Sequence, residues 1–353
     1  MPESNVHPPL RFLCFGMGAI GSYIGGSLAL AGNKVSFIER PDSVARARAS
    51  GLTLKLPDGL HSISDVIIYS SLAEAMQSGA YDAALVAVKS FDTNSVVESI
   101  REWEKTFPTL LCLQNGVENE AAFEAVLGKE RVLGASIATA ISKNGVGKIA
   151  VEKMRGIGLE ATSPLALKLI EAFNEAGLNA SGYPKRTDLK WSKMLTNLLG
   201  NATSAILNWT PAQVFSDPRV YWIEVQQIRE TLAVMERLNI QVVNLPGTPI
   251  HPLIWLIKAF PLALSRPISY QALGKGRGAK MPSFHIDLYA GQTRSEVTYL
   301  NGAIVSAAGQ LGIKTPVNQV LTETLESLAA GSLDKLEFAN HPEKLLARIR
   351  EVL

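Results

Sequence analysis

Apolar and polar positions follow two regimes along the chain. In the first half, short apolar runs bounded by glycine, asparagine and proline alternate with segments of helical periodicity. That pattern predicts strands and helices in alternation and a doubly wound parallel sheet. Arg11 to Phe15, RFLCF, reads as a buried strand, and VSFIE, after a helix ended by Gly32-Asn33, as a second. ALVAVK, ending at Lys89, and TLLCLQNG, ending at Gln114-Asn115-Gly116, read as further buried strands. ASIATAI and GKIAVEK flank a K-N-G-V-G turn. This reads as an antiparallel hairpin, finishing the sheet with mixed strands before Asn179 to Pro184.

From about Lys185 the strand pattern stops. TDLKWSKMLTNLLGNATSAIL reads as a helix capped by Thr187 or Asp188 and anchored by Trp191, Met194, Leu195, Leu198 and Leu199. PRVYWIEVQQIRETLAVMERLNI reads as a second long helix, with Trp222, Val225, Ile228 and Leu232 facing the core. Five prolines from Pro246 to Pro267 divide the next stretch into short helical pieces and loops. GKGRGAK, with Lys275, Arg277 and Lys280, reads as a mobile basic loop, a phosphate-contacting lid being the sharper alternative. HPEKLLARIREVL reads as a last amphipathic helix. The expected organisation is therefore a dinucleotide-binding domain over residues 1–184 and a helical substrate domain over residues 185–353.

Composition narrows the class. The chain has 353 residues, enough for two domains, and its 47% apolar and 19% charged residues are globular values. Thirty-four Lys and Arg against 32 Asp and Glu leave +2, which gives no support for a nucleic-acid binder. Five histidines and two cysteines are too few and too scattered for a zinc cluster or a disulfide framework, and Cys14 and Cys112 read as buried inert thiols. MPESNVHPPL lacks the form of a signal peptide and reads as a disordered lead-in. The longest apolar stretch, PLIWLIKAFPLAL, is interrupted by Lys258 and Pro261 and is too short to span a bilayer. A cytoplasmic enzyme without stable membrane insertion is expected, a surface contact through Trp255 and Phe260 being the lesser alternative.

The chemistry begins at GMGAIG. Gly16, Gly18 and Gly21, with Met17, Ala19 and Ile20 between them, form G-x-G-x-x-G between a strand and a helix. Gly16 permits the tight turn, Gly18 the approach of a diphosphate, and Gly21 close packing of helix on strand. After the second strand, Glu39 could accept from a ribose hydroxyl, whereas Arg40, supported by Arg46 and Arg48, could pair with a 2′-phosphate. The arginines tilt the reading toward NADP. Lys89 and Asn115 stand at strand ends, where the binding crevice of an open α/β sheet lies. In the helical half Lys193, Asn197 and Asn201 are spaced four apart. Each step drifts only about 40°, so they form one polar stripe beside an apolar face. Hydride reduction of a ketone needs a proton donor, and Lys193 is preferred to His285 for that role. Glu296 gains a role only by facing Lys193.

These residues resemble the ketopantoate reductases (2-dehydropantoate 2-reductases). The matching segments are GMGAIGSYIGG, AVKS around Lys89, QNGVEN from Gln114, WSKMLTNLLGNATSAI from Trp191 and SEVTYLNG from Ser295. The resemblance implies a Rossmann-type domain followed by a mostly helical one like the C-terminal domain of 6-phosphogluconate dehydrogenase. It implies NADPH-dependent reduction of 2-dehydropantoate to pantoate on the route to pantothenate and coenzyme A. It assigns the general acid to Lys193 and a substrate- and cofactor-organising carboxylate to Glu296. Substrate contacts fall on Asn115, Asn197, Asn201 and Ser283, nicotinamide and ribose contacts on Lys89 and Asn115, and the 2′-phosphate contact on Arg40. The small 2-oxo acid is the expected partner, and a homodimer is compatible with the sequence.

The chain departs from the family pattern in three places. It is longer, chiefly between Asn244 and Lys280. DLYAGQTRSE carries one extra residue and no proline before Glu296, and Val297-Thr298 replaces the usual I-D. These bear on substrate identity more than on reaction type. A relative acting on another 2-oxo or 2-hydroxy acid, and a non-catalytic NADPH-sensing protein, are the other two readings.

Overall fold

The computed structural model describes residues 8–274 and 281–353. Met1 to His7 of the lead-in and Lys275 to Lys280 of the basic loop lie outside the described residues. The chain divides into two compact units. One comprises Met1–Gln114, Asn119–Leu189 and Leu245–Thr248, the other Asn115–Glu118, Lys190–Asn244 and Pro249–Leu353.

The first unit holds β1 (Arg11–Phe15), β2 (Lys34–Ile38), β3 (Leu52–Leu56), β4 (Gly59–Ile63), β5 (Ile67–Tyr69), β6 (Ala83–Val86), β7 (Thr109–Cys112), β8 (Val132–Ile137), β9 (Ala140–Lys143), β10 (Lys148–Lys153), β11 (Ile157–Glu160) and β12 (Ala180–Tyr183). The main sheet runs β12-β11-β8-β7-β6-β1-β2-β5. It is parallel from β5 to β8, antiparallel at β8 and β11, and parallel again at β11 and β12. Strands covered on both faces need near-continuous apolar runs, and β1, β6 and β7 supply them after the first residues of β1 and β7, Arg11 and Thr109. Phe12 and Cys14 join a core with the helices Ala19–Leu30 and Pro164–Glu175. Leu13 and Phe15 face the opposite core, closed by Leu72–Gln77, Thr93–Arg101 and Asn119–Leu127. Both cysteines are buried and unbridged, and burial followed by the nearby Glu39 charge pushes the Cys14 thiol far up.

The structure differs from the expected strand pattern in the smaller sheet, ordered β4-β3-β10-β9. The hairpin β3–β4, turning at Pro57-Asp58, was not anticipated, because its outer strand is largely polar and exposed. ASIATAI is shared between two sheets. Its first residues belong to β8, parallel to β7, and only Ala140–Lys143 pairs with β10. The division falls at Ala138 and Thr139, whose amides both donate to Gly156 O and turn the chain out of the main sheet. β6 stops at Val86, three residues before Lys89, which precedes a 3₁₀ turn at Ser90–Asp92.

The second unit is helical. The segment read as one helix from Thr187 to Leu207 is two, Arg186–Leu198 and Ala202–Leu207, separated where Gly200 adopts φ of +63°. The long helix Pro218–Arg237 is capped by Asp217, which accepts from the amides of Arg219 and Val220. Tyr221 rather than Trp222 is the buried aromatic near its start. The extra segment forms the helices His251–Ala259 and Leu262–Ser269 and a π-helical turn at Tyr270–Gly274. It is tied down where Tyr221 Oη meets Ser265 Oγ at 2.9 Å and Ser269 Oγ at 3.1 Å. Pro342–Val352 closes the chain, burying Leu345, Leu346 and Ile349. Among the described residues no helix is long and apolar enough to cross a membrane.

Within the first unit, Arg186 is a nearly buried cation whose guanidinium donates to Glu124, to Glu160 at 3.5 Å and to Val132 O at 3.2 Å. Burial acts to lower its pKa, but the hydrogen bond to Glu124 and the charges of Glu160, Glu120 and Glu124 outweigh this and raise it. Removing the cation leaves carboxylates facing one another in a poorly hydrated site. Arg186→Ala therefore destabilises the protein by about 3 kcal/mol in urea unfolding; an unchanged midpoint would show that this cluster is not a structural anchor.

Candidate functional site

The glycine loop joins β1 to the helix Ala19–Leu30, and its glycines meet different constraints. Gly16 takes φ of +92° and donates to Ile38 O at 2.9 Å. A Cβ on Gly21 would stand 1.9 Å from Gly16 O, so any side chain there drives helix and strand apart. A Cβ on Gly18 would meet no protein atom within 4 Å, and its φ of −73° is open to any residue. Among the described residues no contact requires glycine at position 18, which leaves open space above the loop backbone. No side chain caps the helix that follows, leaving its first turn of amides suited to a diphosphate.

Glu39 is bound into this loop. Its carboxylate accepts from Met17 N at 2.9 Å and from its neighbour Arg40 N at 3.0 Å. The side chain with the chemistry of a ribose acceptor thus also braces the loop. Arg40 is exposed at the N-terminus of the helix Pro41–Ser50, and Arg46 is exposed on it. Arg48 is engaged in the fold, donating to Ile68 O at 2.6 Å. All three arginines of this segment are exposed, so exposure alone does not choose among them for a phosphate. Lys89 is half-buried, and its carbonyl accepts from Gln114 Nε2 at 3.3 Å.

The second unit assembles the amides. Asn197 Nδ2 donates to Asn115 Oδ1 at 3.1 Å. Asn201 Nδ2 donates to Asn197 O at 3.1 Å and approaches Ser283 Oγ at 3.5 Å, while Asn201 Oδ1 accepts from Phe284 N at 3.1 Å. Asn115, Asn197, Asn201 and Ser283 therefore form one connected polar chain, with half-buried Lys193 one turn before Asn197 on the same helix. Asn201 lies beyond the end of that helix, on the break at Gly200, and its amide binds the start of the helix Ser283–Tyr289. Glu296 is 5% exposed and opens a 3₁₀ turn, Glu296–Tyr299, capped by Ser295. His285 stacks on Tyr289 and meets Asn208 Oδ1 at 2.7 Å, and burial lowers its pKa, an arrangement that orients the ring within the fold.

One buried carboxylate behind this chain was absent from the sequence-based candidates. Glu224, fully buried on the long helix, accepts from Gly200 N at 2.6 Å. Its only sequence signal is helical spacing: Glu224, Gln227 and Thr231 share a face with Val220 and Ile228 instead of the solvent side.

The chain matches two family models, Ketopantoate reductase PanE/ApbA over residues 12–163 and Ketopantoate reductase PanE/ApbA C terminal over residues 187–329. It belongs to the ketopantoate reductase family. A 2-dehydropantoate 2-reductase of Pyrococcus horikoshii is 25% identical over 329 residues, spanning 92% of this chain and all of that one. Its counterpart in Archaeoglobus fulgidus is 25% identical over 327 residues, 91% of this chain and 98% of that one. Among solved structures, a PanE/ApbA family ketopantoate reductase from Ralstonia eutropha superposes with a TM-score of 0.75 at 26% identity, covering 91% of this chain and 99% of that one. A D-mandelate dehydrogenase solved with NADH and anilino(oxo)acetate shares the fold, with a TM-score of 0.75 at 20% identity over 91% of this chain and 99% of that one. As a ketopantoate reductase family member the protein is an oxidoreductase that uses NADP(H) to reduce a 2-oxo acid.

The glycine geometry separates folding from cofactor binding. Gly18→Ala leaves the melting temperature near that of the wild type but weakens NADPH at least about tenfold, because a methyl group enters the space a diphosphate needs. Gly21→Ala destabilises the fold itself. Equal melting temperatures for the two variants, or unweakened NADPH with Gly18→Ala, would contradict the assignment.

Proposed function

We propose that this family member reduces 2-dehydropantoate to pantoate, with residues 1–184 carrying the nucleotide and residues 185–353 carrying substrate and proton donor. The observation that carries this reading is the connected chain Asn115–Asn197–Asn201–Ser283 beside Lys193. A 2-oxo acid bearing a hydroxyl offers a carboxylate, a ketone and an alcohol, and amides and a serine hydroxyl can hold its polar groups without adding charge. The relatives named 2-dehydropantoate 2-reductase point to the same substrate.

Bound NADPH supplies the hydride. The loop Gly16–Gly21 offers backbone amides to the diphosphate, Arg40 a guanidinium to the 2′-phosphate, and Lys89 and Asn115 polar groups to the nicotinamide and its ribose. Lys193 stabilises the alkoxide that forms at the former ketone oxygen and delivers its proton there. Glu296 accepts the substrate's hydroxyl and helps to order the cofactor, and Asn197 and Ser283 orient the carboxylate and hydroxyl. A second reading, reduction of a different 2-oxo acid, rests on the places where the chain departs from the family pattern, the longer stretch from Asn244 to Lys280 and DLYAGQTRSE before Glu296.

Lys193→Ala lowers kcat by about 10²-fold or more and leaves NADPH binding largely intact; near-normal turnover would remove the assigned acid. Arg40→Ala weakens NADPH far more than NADH, and equal losses would remove the phosphate contact. A panel of 2-oxo acids, 2-dehydropantoate included, followed by NADPH absorbance, tests the substrate directly. Preference for another acid would replace the proposed one, and silence across the panel with clear NADPH binding would favour a sensor.

A further inference from the structure

The Glu224 carboxylate lies at the break between the helices Arg186–Leu198 and Ala202–Leu207. Oε2 accepts from Gly200 N at 2.6 Å and from Gln227 Nε2 at 2.9 Å, and Oε1 accepts from Thr203 Oγ1 at 2.6 Å. An interrupted helix leaves an amide without its usual carbonyl partner, and a buried unpaired amide is costly. Glu224 accepts that amide at Gly200, the residue directly before Asn201. On the other side of the break the Leu198 carbonyl accepts from Asn201 N at 3.2 Å, with Gln227 Nε2 a further 3.4 Å away from it. Gln227 is itself fixed, because its Oε1 accepts from Asn301 Nδ2 at 3.1 Å. The carboxylate thus sits on a braced element, and the backbone turn it holds aims Asn201 at Ser283 and Phe284.

We propose that Glu224 is a positioning residue for the 2-oxo acid site. It stabilises the turn at Gly200 and so sets where Asn201 and Ser283 stand relative to Asn197 and Lys193. It touches neither substrate nor cofactor. The proposal rests on the substrate reading above for its kinetic consequence, but not for its structural one.

Glu224→Ala removes the acceptor, and Glu224→Gln keeps an amide oxygen for Gly200 N while its NH₂ faces Thr203 Oγ1. Two readouts are taken on each variant: the KM values for 2-dehydropantoate and NADPH, and hydrogen exchange at Gly200 and Phe284. The expected result for Glu224→Ala is at least a tenfold rise in KM for the oxo acid, with KM for NADPH within twofold of wild type. Both amides exchange at least tenfold faster. Glu224→Gln restores most of each. Equal rises in both KM values would show general loosening, and an unmoved oxo-acid KM with unmoved Phe284 exchange would show that the carboxylate positions nothing; either overturns the proposal. Should Glu224→Ala fail to fold, Glu224→Asp, shorter by one methylene, serves with the same criteria. If wild-type protein reduces no 2-oxo acid yet Phe284 exchange responds as stated, the reaction reading falls and the positioning stands.

Discussion

The helical unit depends on where one helix stops. Had Arg186–Leu198 continued through Gly200, Asn201 would extend the line of Lys193 and Asn197, three groups on one cylinder. Gly200 instead takes a left-handed conformation, and Asn201 leaves the line to bind the first turn of Ser283–Tyr289. The interruption converts a stripe on one helix into a link between two. The same side chain joins Asn197 to Ser283, residues far apart in sequence, so the polar chain exists only because the helix is broken.

The nucleotide loop obeys a different constraint, the volume of a single methyl group. At Gly21 the limit is internal, the carbonyl of Gly16; at Gly18 the protein imposes none. Glu39 adds a brace by accepting the Met17 amide, coupling the loop to the end of β2. A carboxylate in this place is compatible with an NADP(H) enzyme because its two oxygens are already engaged by backbone amides, while Arg40 beside it is exposed. Loop geometry and cofactor preference are thereby separate properties of adjacent residues.

Much of this was legible from residue patterns. Apolar runs identified β1, β6 and β7 because strands buried on both faces have little polar alternation to hide them. The pattern misled where burial is one-sided or local. β4 is too polar to stand out, and ASIATAI reads as one strand although its two ends belong to different sheets. A break at Gly200 cannot be read from periodicity, since the apolar spacing runs on through Ala202 to Leu207. At the break the Gly200 amide is accepted by Glu224, a residue over twenty positions away that Gln227 holds in turn. The hydrogen bonds of Glu39 and Asn201 were likewise invisible, because they depend on which backbone amide folding brings within reach of a side chain.

The most direct measurement is a crystal structure of the protein with NADP⁺ and an unreactive 2-oxo acid analogue. The account predicts the ketone-equivalent oxygen within hydrogen-bond distance of Lys193 Nζ, the analogue's remaining polar groups on Asn197 and Ser283, and Asn201 still bonded to Phe284. An analogue seated away from Lys193, with another side chain at its ketone oxygen, would contradict it.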